Sequence, residues 1–420
     1  MDDGYEMMVV NSRTLRDESL DGISRNDILN ADIWIVISVD DPSSVDWILK
    51  NSVDISNLVS FDSSSQLTTK LKGKFLIPGD PITKLKASLP GGNDTKELLG
   101  TVKLMEEAWM RKNAEDVRFL LLILIDKCVS RVEILKSLRA TDLNTLKCMI
   151  KNCGPQILAC LSNPSCRKAL SCLNSCAPTD QVCSYQCIVS YESPELEAFS
   201  LCVLQKHNCL GLNSSIPMQP HVEPMRLFRG SPLTHEISED IFIGWLGKFE
   251  WSWRVAAGQN PAYDQFPCQF QIFYRGKAKG SVWYDPVFQV KKLDGSFTWR
   301  RRHYRVRRAD DPGTFFFSVL DNGVISKEYW RIVDMTDDLS WGLFYYSGAA
   351  SAAGQSYTGA IIVTPDGQWP GKCEHERLTE ALEKCGIKEW EMYKVNNASC
   401  EGPPLGIPEN AEKQLTSLNV

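Results

Sequence analysis

Cysteine is the residue type whose spacing carries the most chemistry in this chain. Of 15 cysteines, ten fall between positions 148 and 209: Cys148, Cys153, Cys160, Cys166, Cys172, Cys176, Cys183, Cys187, Cys202 and Cys209. Thiols this dense either pair as disulfides or ligate a metal. The cluster has no C-x-x-C, and His207 is its only histidine. Disulfides are therefore favoured over zinc, an oxidising compartment follows, and no metal is expected. Cys172-x3-Cys176 and Cys183-x3-Cys187 each set two thiols one helical turn apart on one face, a pattern that can staple two antiparallel helices. Spacing does not reveal the connectivity. Cys128, Cys268, Cys373, Cys385 and Cys400 stand outside the cluster.

A second chemical signal is Arg300-Arg301-Arg302-His303-Tyr304-Arg305-Val306-Arg307-Arg308. On a strand, alternation sends Arg301, His303, Arg305 and Arg307 to one face, read as a solvated outer wall. An anionic membrane surface is the better functional partner for it, and nucleic acid is not expected. Asn93-Asp94-Thr95, Asn213-Ser214-Ser215 and Asn397-Ala398-Ser399 fit the glycosylation sequon, which matters only in a secreted chain. Over 420 residues the formal charge is -6, with 43% hydrophobic and 23% charged residues, which excludes a disordered or fibrous chain. The longest apolar run, Phe119 to Ile125, is far short of the roughly 20 residues a membrane span needs. Met1-Asp2-Asp3-Gly4 opens no secretory or transit signal, so a targeting segment is expected to be missing from this sequence.

The elements that must position these groups fall into blocks. In residues 1–140, Asp32 to Val39 reads as a buried strand, and Asp40-Asp41-Pro42-Ser43-Ser44 then caps a helix through Leu49. A strand near Asn57 to Phe61 and helices over Thr95 to Arg111 and Ala114 to Val129 follow. No G-x-G-x-x-G follows the first strand, so this small α/β region has no nucleotide signature. A cysteine-rich helical module is expected over 145–212, a Pro-rich linker over 213–240 and a flexible tail over 404–420. Between them, eight or nine short aromatic strands, among them Gly280 to Tyr284, Val287 to Lys291 and Thr298 to Val306, separated by Asp294-Gly295, Asp311-Pro312-Gly313, Asp321-Asn322-Gly323 and Asp366-Gly367, read as a closed up-and-down barrel over 241–403. A helix over Glu374 to Cys385 completes the lipocalin order, and such a barrel holds one small apolar ligand. The fold class is therefore multidomain: α/β region, disulfide-rich helical module, lipocalin-like antiparallel barrel with a C-terminal helix.

From Cys148 to Pro403 the chain resembles the violaxanthin de-epoxidase family, closest to its plant de-epoxidase-related branch. The residues that carry the resemblance are Cys148-Met149-Ile150-Lys151-Asn152-Cys153, Asn163-Pro164-Ser165-Cys166, and above all Asn260-Pro261-Ala262-Tyr263-Asp264-Gln265-Phe266-Pro267-Cys268-Gln269. Asp180 to Cys187, Gly354 to Gly359 and Val39 to Ser44 match the branch. The resemblance implies an ascorbate-dependent reduction of xanthophyll epoxides in the thylakoid lumen of the chloroplast, with a carotenoid in the barrel, a membrane surface nearby and a possible homodimer. It further implies that Cys268 and Cys400 pair. Cys373 and Cys385 offer another pair across the helix.

Carried over residue by residue, Asp264 and Gln269 match the family's barrel-mouth pair, Glu328-Tyr329-Trp330 stands where an Asp-Asp-Trp motif is found, and Tyr346 matches the barrel tyrosine. Epoxide reduction needs an acid on the departing oxygen, a carboxyl group whose pKa burial has raised. Glu328, Asp264 and Tyr346 are the catalytic candidates; Gln269, Trp330 and Tyr345 are the substrate-binding candidates. Trp253 takes the position that closes a lipocalin base. Pro267 replaces a second Asp, Val363 a tyrosine, Leu146 a cysteine, and no lumen-facing His lies between Phe317 and Gly359. Two readings stay open: a de-epoxidase, or a carotenoid or lipid binding protein that does no chemistry. Asp264 also has a structural reading, as the cap of the turn after Asn260-Pro261.

Overall fold

The computed structural model describes residues 8–11, 25–75, 93–128, 143–177, 180–276, 281–409, 411 and 418. The start of the strand expected at Gly280 and much of the tail lie outside these. The chain divides into two compact units, 1–171 and 172–420. In the first, α1 (Arg25–Leu29) precedes a strand-helix-strand unit of β1 (Trp34–Ile37), α2 (Pro42–Asn51) and β2 (Leu58–Phe61). The two strands pair in parallel, Trp34 opposite Leu58 and Ile37 opposite Phe61. Asp41 caps α2 by accepting from Ser44 N at 2.9 Å, with Pro42 in the first turn, as the sequence predicts. Val45 and Ile48 of α2 pack on Trp34, Val36 and Leu58. The short strands β3 (Lys70–Leu71) and β4 (Lys74–Phe75) extend the sheet, followed by α3 (Asn93–Met110), α4 (Ala114–Cys128) and α5 (Leu143–Ser162).

Asn163 explains its own motif: its Oδ1 accepts from Cys166 N at 3.0 Å, and Pro164 opens α6 (Pro164–Ser175). A disulfide joins Cys160 to Cys166 across that corner.

The second unit begins with the stapled helices. Cys172 pairs with Cys187 and Cys176 with Cys183, so the end of α6 runs antiparallel to α7 (Gln181–Tyr191), the nested pairing that the two C-x3-C segments allow. Then come α8 (Pro194–Ser200), which runs on into a π-helical turn at Leu201–Lys206, and a hairpin of β5 (Leu227–Phe228) and β6 (Ser231–Pro232).

Helix α9 (His235–Ile243) begins inside the stretch read as linker, yet it seals the base of the barrel. Its Phe242 ring lies 4.7 Å from Phe273 and 4.9 Å from both Phe315 and Phe344. Trp253, fully buried, donates Nε1 to Ile241 O at 3.0 Å and Phe242 O at 3.1 Å, which fixes the plug to the wall. The barrel strands are β7 (Trp253–Gly258), β8 (Phe270–Arg275), β9 (Val282–Lys291), β11 (Tyr304–Arg308), β12 (Thr314–Asp321), β13 (Val324–Met335), β14 (Gly342–Ala350) and β15 (Gln355–Thr364), closed antiparallel by β15 on β7. An extra strand, β10 (Phe297–Arg301), folds back on the end of β9.

The long run expected over Thr298 to Val306 is thus two strands, broken at Arg302-His303. Asp285 explains the break: buried, it hydrogen-bonds Arg301 Nε at 2.9 Å and His303 Nδ1 at 2.7 Å. On the outside, α10 (His375–Lys384) lays Leu378, Ala381 and Leu382 on Leu343, Tyr345, Ala360 and Ile362, and β16 (Tyr393–Lys394) edges β7. The Cys268–Cys400 disulfide forms. The pair offered across the helix does not: Cys373 is exposed, whereas Cys385 is buried and its thiol pushed up to about 12 by that burial. Arg301 also donates to the carbonyls of Pro404 and Gly406, so the chain after 403 runs along the wall.

Candidate functional site

Strand alternation turns Trp330 and Ile332 of β13, Phe344 and Tyr346 of β14, and Ile361 and Val363 of β15 into the barrel. Glu328 shares the inward parity of Trp330. Its cross-strand neighbour is Gly348, whose own neighbour on β15 is Tyr357. A Cβ on Gly348 would run into both the Tyr357 ring and Glu328 Cγ. Glycine therefore lets the Tyr357 side chain cross β14, and its hydroxyl donates to Glu328 Oε1 at 2.8 Å. Trp330 Nε1 donates to the other oxygen, Oε2, at 2.6 Å.

The next inward row repeats the device. Trp330 faces Tyr346, which faces Gly359, and a Cβ on Gly359 would strike the Tyr346 hydroxyl. The Tyr346 ring stacks on Trp330 at 5.2 Å, and its hydroxyl donates to Asp264 Oδ1 at 2.7 Å. Asp264 comes from the turn after β7, where Gly258 leaves room for its Cβ. That turn is fixed by Asn260, whose side chain accepts from Ala262 N at 2.8 Å and donates to Thr358 O at 2.9 Å. Asp264 Oδ2 accepts from Asn260 N at 2.8 Å. The carboxyl both caps its turn and faces inward, so the structural and functional readings of this residue coexist. Gln269 braces the same turn by donating to Asp264 O at 2.6 Å and Phe266 O at 2.9 Å.

Two carboxyl–tyrosine pairs thus lie side by side in a buried, aromatic interior. Burial disfavours both charges. It pushes Asp264 up to about 7 against the opposing hydrogen bonds from Asn260 and Tyr346. Glu328 is raised by burial too, with Trp330, Tyr357 and the Arg302 charge pulling it back. Desolvation lifts both tyrosine hydroxyls well above their usual range, so Tyr346 and Tyr357 stay protonated donors. The pairs can hold protons beside an apolar ligand and hand them to an oxygen.

Of the residues singled out from sequence, Asp264, Glu328, Trp330 and Tyr346 meet here and Gln269 supports them. Tyr345 does not join them. One residue out of phase with Tyr346, it lies on the outer face under α10, with Arg331 over its ring at 5.5 Å. Val363 is fully buried on the inner face, and Pro267 offers only its carbonyl, to Gln289 N at 3.0 Å. Tyr357 was missed, although it lies inside the Gly354–Gly359 match and has the inward parity. Arg302 was also missed within the basic run. It shares the parity of Tyr304 and Val306, both buried, while Arg305 and Arg307 are exposed as expected. All twelve cysteines assigned to disulfides are disulfide-bonded.

Residues 145–397 match the VDE lipocalin domain. The chain belongs to that family. Among curated relatives, violaxanthin de-epoxidase, chloroplastic, of Arabidopsis thaliana is 25% identical over 309 residues, covering 70% of this chain and 62% of that protein. The protein of the same name from Spinacia oleracea is 24% identical over 294 residues, covering 67% and 57%. The chain therefore spans about three fifths of the length of these VDE relatives. Apocrustacyanin C2 is a similar solved structure at 13% identity and a TM-score of 0.26, covering 36% of this chain and 78% of that one, a likeness that carries no argument.

Proposed function

We propose that this VDE-family chain reduces an epoxide of a carotenoid held in the barrel, with ascorbate as the electron donor. The observation that supports this best is the side-by-side setting of Asp264–Tyr346 and Glu328–Tyr357 in the buried interior of the barrel. The overall step balances: ascorbic acid gives two electrons and two protons, the epoxide oxygen leaves as water, and a carbon–carbon double bond forms. Breaking the C–O bond needs a proton on oxygen, which a buried carboxylic acid supplies. Glu328, ranked first from sequence, and Asp264, pushed up to about 7, are both raised by burial and are the two candidate donors. Trp330 stacks beside the site as a ligand contact. The names of the relatives support a chloroplast setting, and the exposed Arg305 and Arg307 suit an anionic lipid surface from which such a ligand would come. A homodimer belongs to the same proposal.

The second reading, a carotenoid or lipid binding protein without turnover, draws support from Val363 and Pro267, which fill family side-chain positions with groups that carry no proton. The deciding experiment gives oxidised full chain violaxanthin in lipid micelles with ascorbate, at mildly acidic and neutral pH. Formation of antheraxanthin or zeaxanthin, abolished by Glu328→Gln or Asp264→Asn with carotenoid binding retained, is the expected result. No product, alongside quenching of tryptophan fluorescence by carotenoid, would leave the binding reading in its place.

A further inference from the structure

Two donors buried at the mouth of the barrel find no acceptor among the described residues: the hydroxyl of Tyr185 and Nε of Arg302. Tyr185 stands on the stapled helix α7 and is 6% exposed. Arg302 follows β10, and its guanidinium lies over the Tyr185 ring at 5.1 Å and the Phe288 ring at 5.9 Å. Its Nη2 pairs with Asp321 Oδ2 at 2.7 Å, which leaves Nε on the buried side. The surroundings are aromatic: Phe266 stacks on Phe288 at 5.2 Å, and Tyr263 lies 5.5 Å from Tyr185.

Burying a phenol hydroxyl and a guanidinium Nε among rings without an acceptor costs stability. Two unpartnered donors on stacked groups, one of them a planar cation, suit a planar oxyanion. We infer that Tyr185 and Arg302 form a binding subsite for a planar oxyanion, an enediolate or a carboxylate, at the mouth of the barrel. The site adjoins the carboxyl pairs. From Tyr185 the rings step to Tyr263 at 5.5 Å and Tyr357 at 5.2 Å, and the Tyr357 hydroxyl touches Glu328. Asp321 balances the guanidinium charge on the rim. One chemistry has two sources here: the enediolate of a water-soluble reductant, which rests on the function proposed above, or the carboxylate head of an apolar ligand, which does not.

The test is calorimetric titration of oxidised full chain with ascorbate and, separately, with oleate, for the natural protein, Tyr185→Phe and Arg302→Lys. Expected is binding of one of the two anions, weakened about tenfold or more in each variant, one lost hydrogen bond to a charged partner. Quenching by the uncharged β-carotene stays unchanged. Because the Tyr185 hydroxyl bonds none of the described residues, ligand-free Tyr185→Phe melts at the same temperature or higher, which separates lost ligation from lost fold. Ascorbate binding assigns the subsite to the reductant, and oleate binding assigns it to an apolar ligand's head. If neither anion binds, or if Tyr185→Phe binds as tightly as the natural protein, the subsite is overturned. Absence of violaxanthin turnover with anion binding intact would count against the proposed reaction alone.

Discussion

Asp264 makes a pH-dependent contribution to stability whose sign is unusual for an aspartate. Its acid strength falls from an ordinary 3.8 to about 7 in the folded chain, so folding favours the neutral form. The folded state then binds more protons than the unfolded state across that interval, and stability falls as pH rises from about 4 to about 7. The whole effect is of order 4 kcal/mol, given roughly 1.4 kcal/mol per pH unit. Asp264→Asn should remove this loss, so its stability relative to the natural protein rises with pH over that window in urea titrations; a difference that is flat with pH would refute the assignment.

Glu328 offers a second test. Tyr357→Phe deletes a donor to its carboxylate, so its titration should move up. The infrared carboxyl band that Glu328→Gln identifies would report the shift, and an unmoved band would mean that Tyr357 does not hold the charge. At this scale the sequence was legible where a motif named the residue: Asp264, Glu328, Trp330 and Tyr346 were reached that way. Tyr357 and Arg302 were not, because their importance arises from what faces them across the sheet. Tyr345 was misplaced because, in a strand whose residues are all buried, composition does not tell the inner face from the outer one.

The strands act through what they omit as much as through what they carry. Gly258, Gly348 and Gly359 each stand where a methyl group would collide with Asp264, with the Glu328–Tyr357 pair, or with Tyr346. Gly359→Ala should therefore push the Tyr346 ring away from Asp264 and cost about 1–3 kcal/mol, the usual range for overpacking a filled interior. Chemical denaturation measures the cost, and a variant as stable as the natural chain would show that the ring has room to move. Element by element, turn dipeptides and alternation located most barrel strands, although the two expected on either side of Asp285-Pro286 are the single strand β9. The run over Thr298 to Val306 was joined in error because its break depends on Asp285, a residue on the neighbouring strand that only pairing brings to Arg301 and His303. Helix α9 was absorbed into a linker because its purpose, filling the base beneath Trp253, exists only once the barrel has closed.

For the molecule as a whole, the strongest single constraint is the disulfide between Cys268 and Cys400, which spans 132 residues and encloses β8 through β16. Loop-closure arguments put such a bridge at about 5 kcal/mol through the unfolded chain. Replacing both residues, Cys268→Ser with Cys400→Ser, should lower the denaturation midpoint accordingly, and a midpoint unchanged in oxidised protein would contradict it. The pairing of these two cysteines was expected from the family resemblance, since nothing in a separation of 132 residues points one thiol to the other.

The same bridge bears on how the protein responds to a protease. The exposed barrel tips at Asp294-Gly295 and Asp337-Asp338 lie inside the covalent loop. A single cut there leaves both new ends attached to one another through sulfur. Nicked chain should run as one species on a non-reducing gel and separate into two fragments only after thiol is added. Damage at the rim can therefore accumulate without loss of mass, and a preparation judged whole by size alone can already be cut.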